Sequence, residues 1–212
     1  MNKPHAPTTR LVGDPRLKGV ELGGANSPHE NGNSFFLQAC VNVAPAESER
    51  FYYGACTDGH RGFCHLHGHA AFIPLYNDTL DYIISSHVME HIPDPIRAWK
   101  EWVRVLKPNG LVLMIVPHHD ALRGDKRPVE DFTLDRVWQA HRDRWHQDNI
   151  PVGAVHGGPY GHWWKWTPEV LQAAIEKWMP YWVPIDFEDP DSKVGNGFFL
   201  AYRLRTSKLQ GE

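Results

Sequence analysis

The chain has 212 residues, 42% hydrophobic and 22% charged, with a formal charge of −3. That suits one globular domain, makes a second full one unexpected at this length, and, with no long basic run, makes nucleic acid an unexpected partner. Three cysteines without a C-x-x-C pair, a polar stretch at 1–10 and no apolar run of the ~18 residues that a membrane helix needs lead us to expect a reducing, cytoplasmic setting with no membrane contact.

In chain order, residues 1–18 read as a loose tail. Residues 19–22 form a short apolar run stopped by glycines, which predicts a buried strand and a turn. A short turn is expected at 27–33 and a second strand at 39–43. Residues 63–69 alternate, which would place His65, His67 and His69 on one face of a strand. Another apolar strand is predicted at 80–85. The stretch 94–106 has a helix start in Asp94 and Pro95, and Ile96, Trp99, Val103 and Leu106 recur at helical spacing. Residues 107–110 should end that helix, and the aliphatic run 111–116 predicts a central strand. Further helices are expected at 134–145 and from Thr167-Pro168 to Trp178. Two last strands are expected at 182–187 and 197–205, most simply joined as a hairpin. Strands alternating with helices imply a parallel sheet covered on both faces, with ligands bound beyond the carboxyl ends of the strands.

The run Leu80-Asp81-Tyr82-Ile83-Ile84-Ser85-Ser86-His87-Val88-Met89-Glu90-His91, continued by Asp94-Pro95 and Arg104-Val105-Leu106-Lys107-Pro108-Asn109-Gly110, resembles the class I S-adenosylmethionine-dependent methyltransferases, the type 11 kind especially. Glu21-Leu22-Gly23-Gly24-Ala25-Asn26 looks like that family's first motif, with Asn26 at its third glycine. The resemblance implies an α/β, Rossmann-like, mostly parallel seven-stranded sheet with helices on both faces and an antiparallel C-terminal hairpin. It implies S-adenosyl-L-methionine as cofactor and S-adenosyl-L-homocysteine as product. It places Glu21, Gly23, Gly24, Asn42, His69, Ala70, Ser86 and His87 around the cofactor. The family's ribose-binding acid after the second strand is missing, since the nearest fit ends in Ala44, and Asn42 or Glu47 would substitute. The usual Asp-Ala beside the adenine is His69-Ala70. The domain would span 19–205, with a lid insertion at 121–166 and a C-terminal tail at 206–212.

Methyl transfer is an in-line displacement from an activated sulfonium, so the enzyme supplies positioning and, for a protonated nucleophile, a base. Histidine titrates near neutrality and suits that role. His87, His118 and His119 fall at strand ends where an acceptor would arrive, with His87 or His119 as first choice and Asp120 as orienter. In the same family Glu90 and His91 often stabilise the turn, and structural roles remain open for His87, His118 and His119 too. His91, Tyr160, His162 and Trp163 are candidate acceptor contacts.

Histidines at 65, 67, 69, 118, 119, 156 and 162 raise metal binding as a rival, but no spacing such as H-E-x-x-H is present and a metal is not favoured. Trp138, Trp145, Tyr160, Trp163, Trp164 and Trp166 would build an aromatic pocket in the lid, or pack the insertion onto the core or into a homodimer interface. The reading is methyl transfer to O, N or S of a small molecule. The alternative is the same fold turned into a metal-dependent enzyme or a binding partner without catalysis.

Overall fold

The computed structural model describes residues 5–14, 16–22, 40–44, 66–67, 69–122, 125–145 and 162–205, with 40–44 and 66–67 as backbone alone. One sheet organises them. Its strands are β1 (Gly19–Leu22), β2 (Cys40–Ala44), β3 (Leu66–His67), β4 (Leu80–Ser86), β5 (Leu106–Pro117), β6 (Trp182–Glu188) and β7 (Gly197–Leu204), in the spatial order β3-β2-β1-β4-β5-β7-β6. The first five run parallel, and β7 is antiparallel to both β5 and β6. The strand order reverses between β1 and β4, which makes their carboxyl ends the switch point of the sheet.

The sheet is apolar on both faces because its strands alternate between two cores. Ile83, Val112, Met114, Val116, Phe198 and Leu200 join one core; Tyr82, Ile84, Leu113, Ile115, Phe199 and Ala201 join the other. The first core lies under α2 (Pro95–Val105), α3 (Leu134–Arg142) and α4 (Pro168–Trp178). It holds Trp99, Trp102, Trp164 and Trp166, each 0% exposed. Asp94 caps α2 by accepting from Arg97 N–H at 2.9 Å, and its carboxylate also meets His141 Nδ1 of α3 at 3.0 Å.

Four expectations change. Residues 6–12, expected within a loose tail, form a helix, α1 (Ala6–Val12). Seven residues carry too little periodicity to announce a helix. Tertiary contacts hold it: Val12 packs in the second core, His5 Nε2 lies 3.2 Å from Glu188, and Arg10 pairs with Asp186. His69 does not lie on β3 (Leu66–His67) but follows it in a bridge to Phe72; His65 and the side chain of His67 lie outside the described residues.

Residues 107–110 do not separate helix from strand. β5 starts directly at Leu106, and these four residues bulge opposite Asp81, with Lys107 Nζ on Asp81 Oδ1 at 2.7 Å. Asn109 adopts φ 64°, a left-handed conformation that asparagine tolerates better than most residues. The helix expected over 134–145 stops at Arg142, and Arg144 takes φ 54° so that Trp145 N–H reaches Ala140 O at 3.1 Å.

Candidate active site at the switch point

Glu21 is the penultimate residue of β1, in register with Ile84 of β4 and Asn42 of β2, and is 0% exposed. Beside it, β4 ends in Ser85 and Ser86, and the chain then turns at His87. His87 has φ 54°, a costly conformation for a non-glycine residue. Its N–H donates to Ile115 O of β5 at 2.8 Å, which keeps the turn against the next strand end. Ser85 Oγ and His87 Nε2 are buried with no hydrogen-bond partner among the described residues. Gly23 and Gly24 lie outside the described residues, as does the side chain of Asn42.

The turn after His87 carries an unusual polar group. Glu90, in the single helical turn Met89–His91, is 2% exposed. Its Oε1 lies 3.8 Å from His87 Nδ1 and 3.8 Å from His91 Nε2. Burial pushes the Glu90 carboxyl up to about 8. Burial also pushes the His87 imidazole down, opposed by Asp191 and aided by Lys193 and His91. The His162 ring lies 4.8 Å from that of His91. Burial first, then His91, lower His162 to about 4, so it is neutral at neutral pH.

The segment bearing His162 is clamped from two sides. Trp163 N–H donates to Glu90 O at 2.7 Å, and the indoles of Trp164 and Trp166 donate to Ile92 O and Met89 O. On the other side Arg127 donates to His162 O at 2.7 Å while it pairs with buried Asp125 at 2.6 Å. Lys165 Nζ reaches Arg127 O at 2.8 Å. The described tryptophans between 138 and 166, Trp138 apart, serve packing: Trp145, Trp163, Trp164 and Trp166 are at most 3% exposed. Of the expected acceptor contacts, His91 and His162 come together, Trp163 is taken up by packing against Trp145, and Tyr160 lies outside the described residues.

At the end of β5, His118 Nε2 pairs with Asp189 Oδ1 at 2.7 Å and His119 Nε2 with Asp120 Oδ1 at 2.9 Å. Asp120 is 85% exposed, so its hold on His119 is weak, whereas Asp189 was not singled out by the sequence. The loop after β6 reaches this same end. Asp191 is 1% exposed and its carboxylate accepts the backbone N–H groups of Lys193, Val194, Gly195 and Gly197. The loop so wound carries Lys193, whose ammonium is pushed down by burial and supported by Glu21 and Asp191. Only the fold brings Lys193 to the end of β1, and no local motif announces it. His69 and Ala70 sit in the turn after β3, where His69 Nδ1 accepts from Ala71 N–H at 3.1 Å and Ala70 O accepts from Trp102 Nε1.

A family profile described as "Methyltransferase domain" matches residues 40–114. An uncharacterised methyltransferase of Mycobacteroides abscessus is 29% identical over 119 residues, which are 50% of this chain and 46% of that protein. A demethylmenaquinone methyltransferase of Bacillus pumilus is 32% identical over 62 residues, 29% of this chain and 26% of that protein. The chain thus spans less than half the length of either curated relative. A solved S-adenosylmethionine-dependent methyltransferase from Mesorhizobium loti shares the fold, with a TM-score of 0.55 and 13% identity over 93% of this chain and 96% of that one. Residues 40–114 thus resemble the methyltransferase domain, and the sheet has the fold of solved S-adenosylmethionine-dependent methyltransferases.

Proposed function

We propose that the protein transfers a methyl group from S-adenosylmethionine to an O, N or S atom of a small molecule. The observation that carries this reading is that the strand ends at the switch point hold a fully buried Glu21 on β1 and, on β4 and its turn, Ser85 Oγ and His87 Nε2, buried polar atoms that have no partner among the described residues. Such atoms fit a polar ligand, because a desolvated donor or acceptor left unsatisfied costs about 1–3 kcal/mol. Glu21, Gly23, Gly24 and Ser86 would hold the donor, with Asn42, His69 and Ala70 toward its ribose and adenine. The donor supplies an activated methyl group, and the chain supplies orientation and a place for the acceptor's proton.

His87 is the better supported base. Burial keeps its imidazole neutral, Glu90 stands behind Nδ1 at 3.8 Å, and Nε2 is left over for an acceptor. His119 is the second candidate, with Asp120 orienting it. His118, tied to Asp189, is better suited to holding the acceptor. The insertion at 121–166 would cover the acceptor, with His91 and His162 facing it. No helix among the described residues is long and apolar enough to cross a membrane.

Thermal shift and calorimetry with S-adenosylmethionine and S-adenosylhomocysteine test the reading. Both ligands should raise the melting temperature, and Gly23→Val should abolish binding while the circular dichroism spectrum is kept. Lack of binding by the unsubstituted protein would refute the reading; unchanged affinity in Gly23→Val would show that the glycine loop lies elsewhere.

A further inference from the structure

Glu90, His91 and His162 each offer one ligand atom, and these three atoms lie within 4.8 Å of one another. We propose that they form a binding site for a single divalent transition ion, zinc(II) first, with one carboxylate and two imidazole ligands and an open position. The site stands whether or not the protein transfers methyl groups.

Three observations converge. The first is the donor set. Two imidazole nitrogens and one carboxylate oxygen suit zinc and neighbouring first-row ions, and three protein ligands with an exchangeable fourth position are the open type of zinc site. The second is distance. Ligand atoms of a tetrahedral ion with bonds of about 2.0–2.1 Å stand roughly 3.3 Å apart. Glu90 Oε1 and His91 Nε2 are already at 3.8 Å. Small side-chain rotations close the remainder.

The third is the state of Glu90. Its Oε2 is buried and has no hydrogen-bond partner among the described residues, and no lysine or arginine among them pairs with it. A buried carboxylate without a cation is expensive, and a bound ion removes that penalty. Its charge would be met where the fold already aims it, between two imidazoles.

The surrounding backbone is built to hold the geometry. His162 is brought from a distant part of the chain and fixed by Arg127 on its carbonyl and by Trp163 N–H on Glu90 O. The two ligands of the turn and the third from the insertion therefore cannot drift apart independently. An ion here would staple the insertion to the turn that follows β4.

The test uses full-length protein stripped with a chelator and then titrated with zinc(II) and, separately, cobalt(II). The expected result is one ion per chain, visible cobalt absorption bands, and a melting temperature raised by about 5–10 °C at a hundredfold excess over Kd. Glu90→Gln and His162→Gln should each weaken binding at least tenfold. His118→Gln, at a histidine outside the cluster, should bind as the unsubstituted protein does. Circular dichroism reports whether each variant is folded; if Glu90→Gln is not, His162→Gln and His91→Gln decide. Binding that is absent, not stoichiometric, or unchanged by these substitutions overturns the proposal. Calorimetry with S-adenosylhomocysteine on stripped and loaded protein keeps the two readings apart, since its failure bears on methyl transfer alone.

Discussion

Nδ1 of His87 lies 3.8 Å from Oε1 of Glu90, a carboxyl that is 2% exposed. The carboxyl thus backs the imidazole from the side away from Nε2, and the left-handed backbone at His87 directs the turn. Asparagine tolerates that backbone, so His87→Asn removes the base with little strain. We expect turnover to fall about 10²–10⁴-fold, the usual worth of a positioned base, with S-adenosylhomocysteine affinity within threefold. A screen of small-molecule acceptors with a labelled methyl donor supplies the assay. Unchanged turnover would pass the role to His119.

Asp94 joins two helices. It caps α2 through Arg97 N–H and holds His141 of α3, whose Nε2 in turn lies 3.2 Å from Lys100 Nζ. Asp94→Ala loses the cap and leaves the imidazole without its buried acceptor. Urea unfolding should show a loss of about 2 kcal/mol, and Asp94→Asn, which keeps a cap acceptor, should lose less.

Asp125 gives an acid-sensitive clamp. Burial alone would raise its carboxyl, but the hydrogen bonds from Arg127 outweigh burial and hold it below its ordinary value. The unfolded chain therefore takes up the proton first as pH falls. The stabilisation is complete above the unfolded value of about 3.9 and is lost as pH drops through the folded one. Asp125→Asn should be less stable than the unsubstituted protein at pH 7, with a shallower loss below about pH 4. Parallel acid profiles would remove Asp125 as a contributor.

Gly19 is required by packing. A Cβ there would stand 2.1 Å from the ring of Tyr82, its register partner on β4. Gly19→Ala should cost about 1–3 kcal/mol of stability, and Tyr82→Leu in the same chain should recover part of it. Purely additive effects in the double variant would place the strain elsewhere.

The sequence by itself determined the elements whose signals are local. Asp94-Pro95 and Thr167-Pro168 mark helix starts because capping acts within one turn, and both caps form. The runs at 19–22, 80–85 and 111–116 announce buried strands because both of their faces must be apolar. The motif from Leu80 to Gly110 located the turn at His87 and carried the resemblance to methyltransferases. Tertiary structure alone decided the pairings. His162 meets Glu90 and His91, Asp189 meets His118, and Lys193 reaches the field of Glu21 only because β7 returns antiparallel beside β5 and residues 162–166 pack on the turn after β4. Local spacing cannot encode contacts between groups so far apart in the chain, so the sequence named the histidines but only the fold chose their partners.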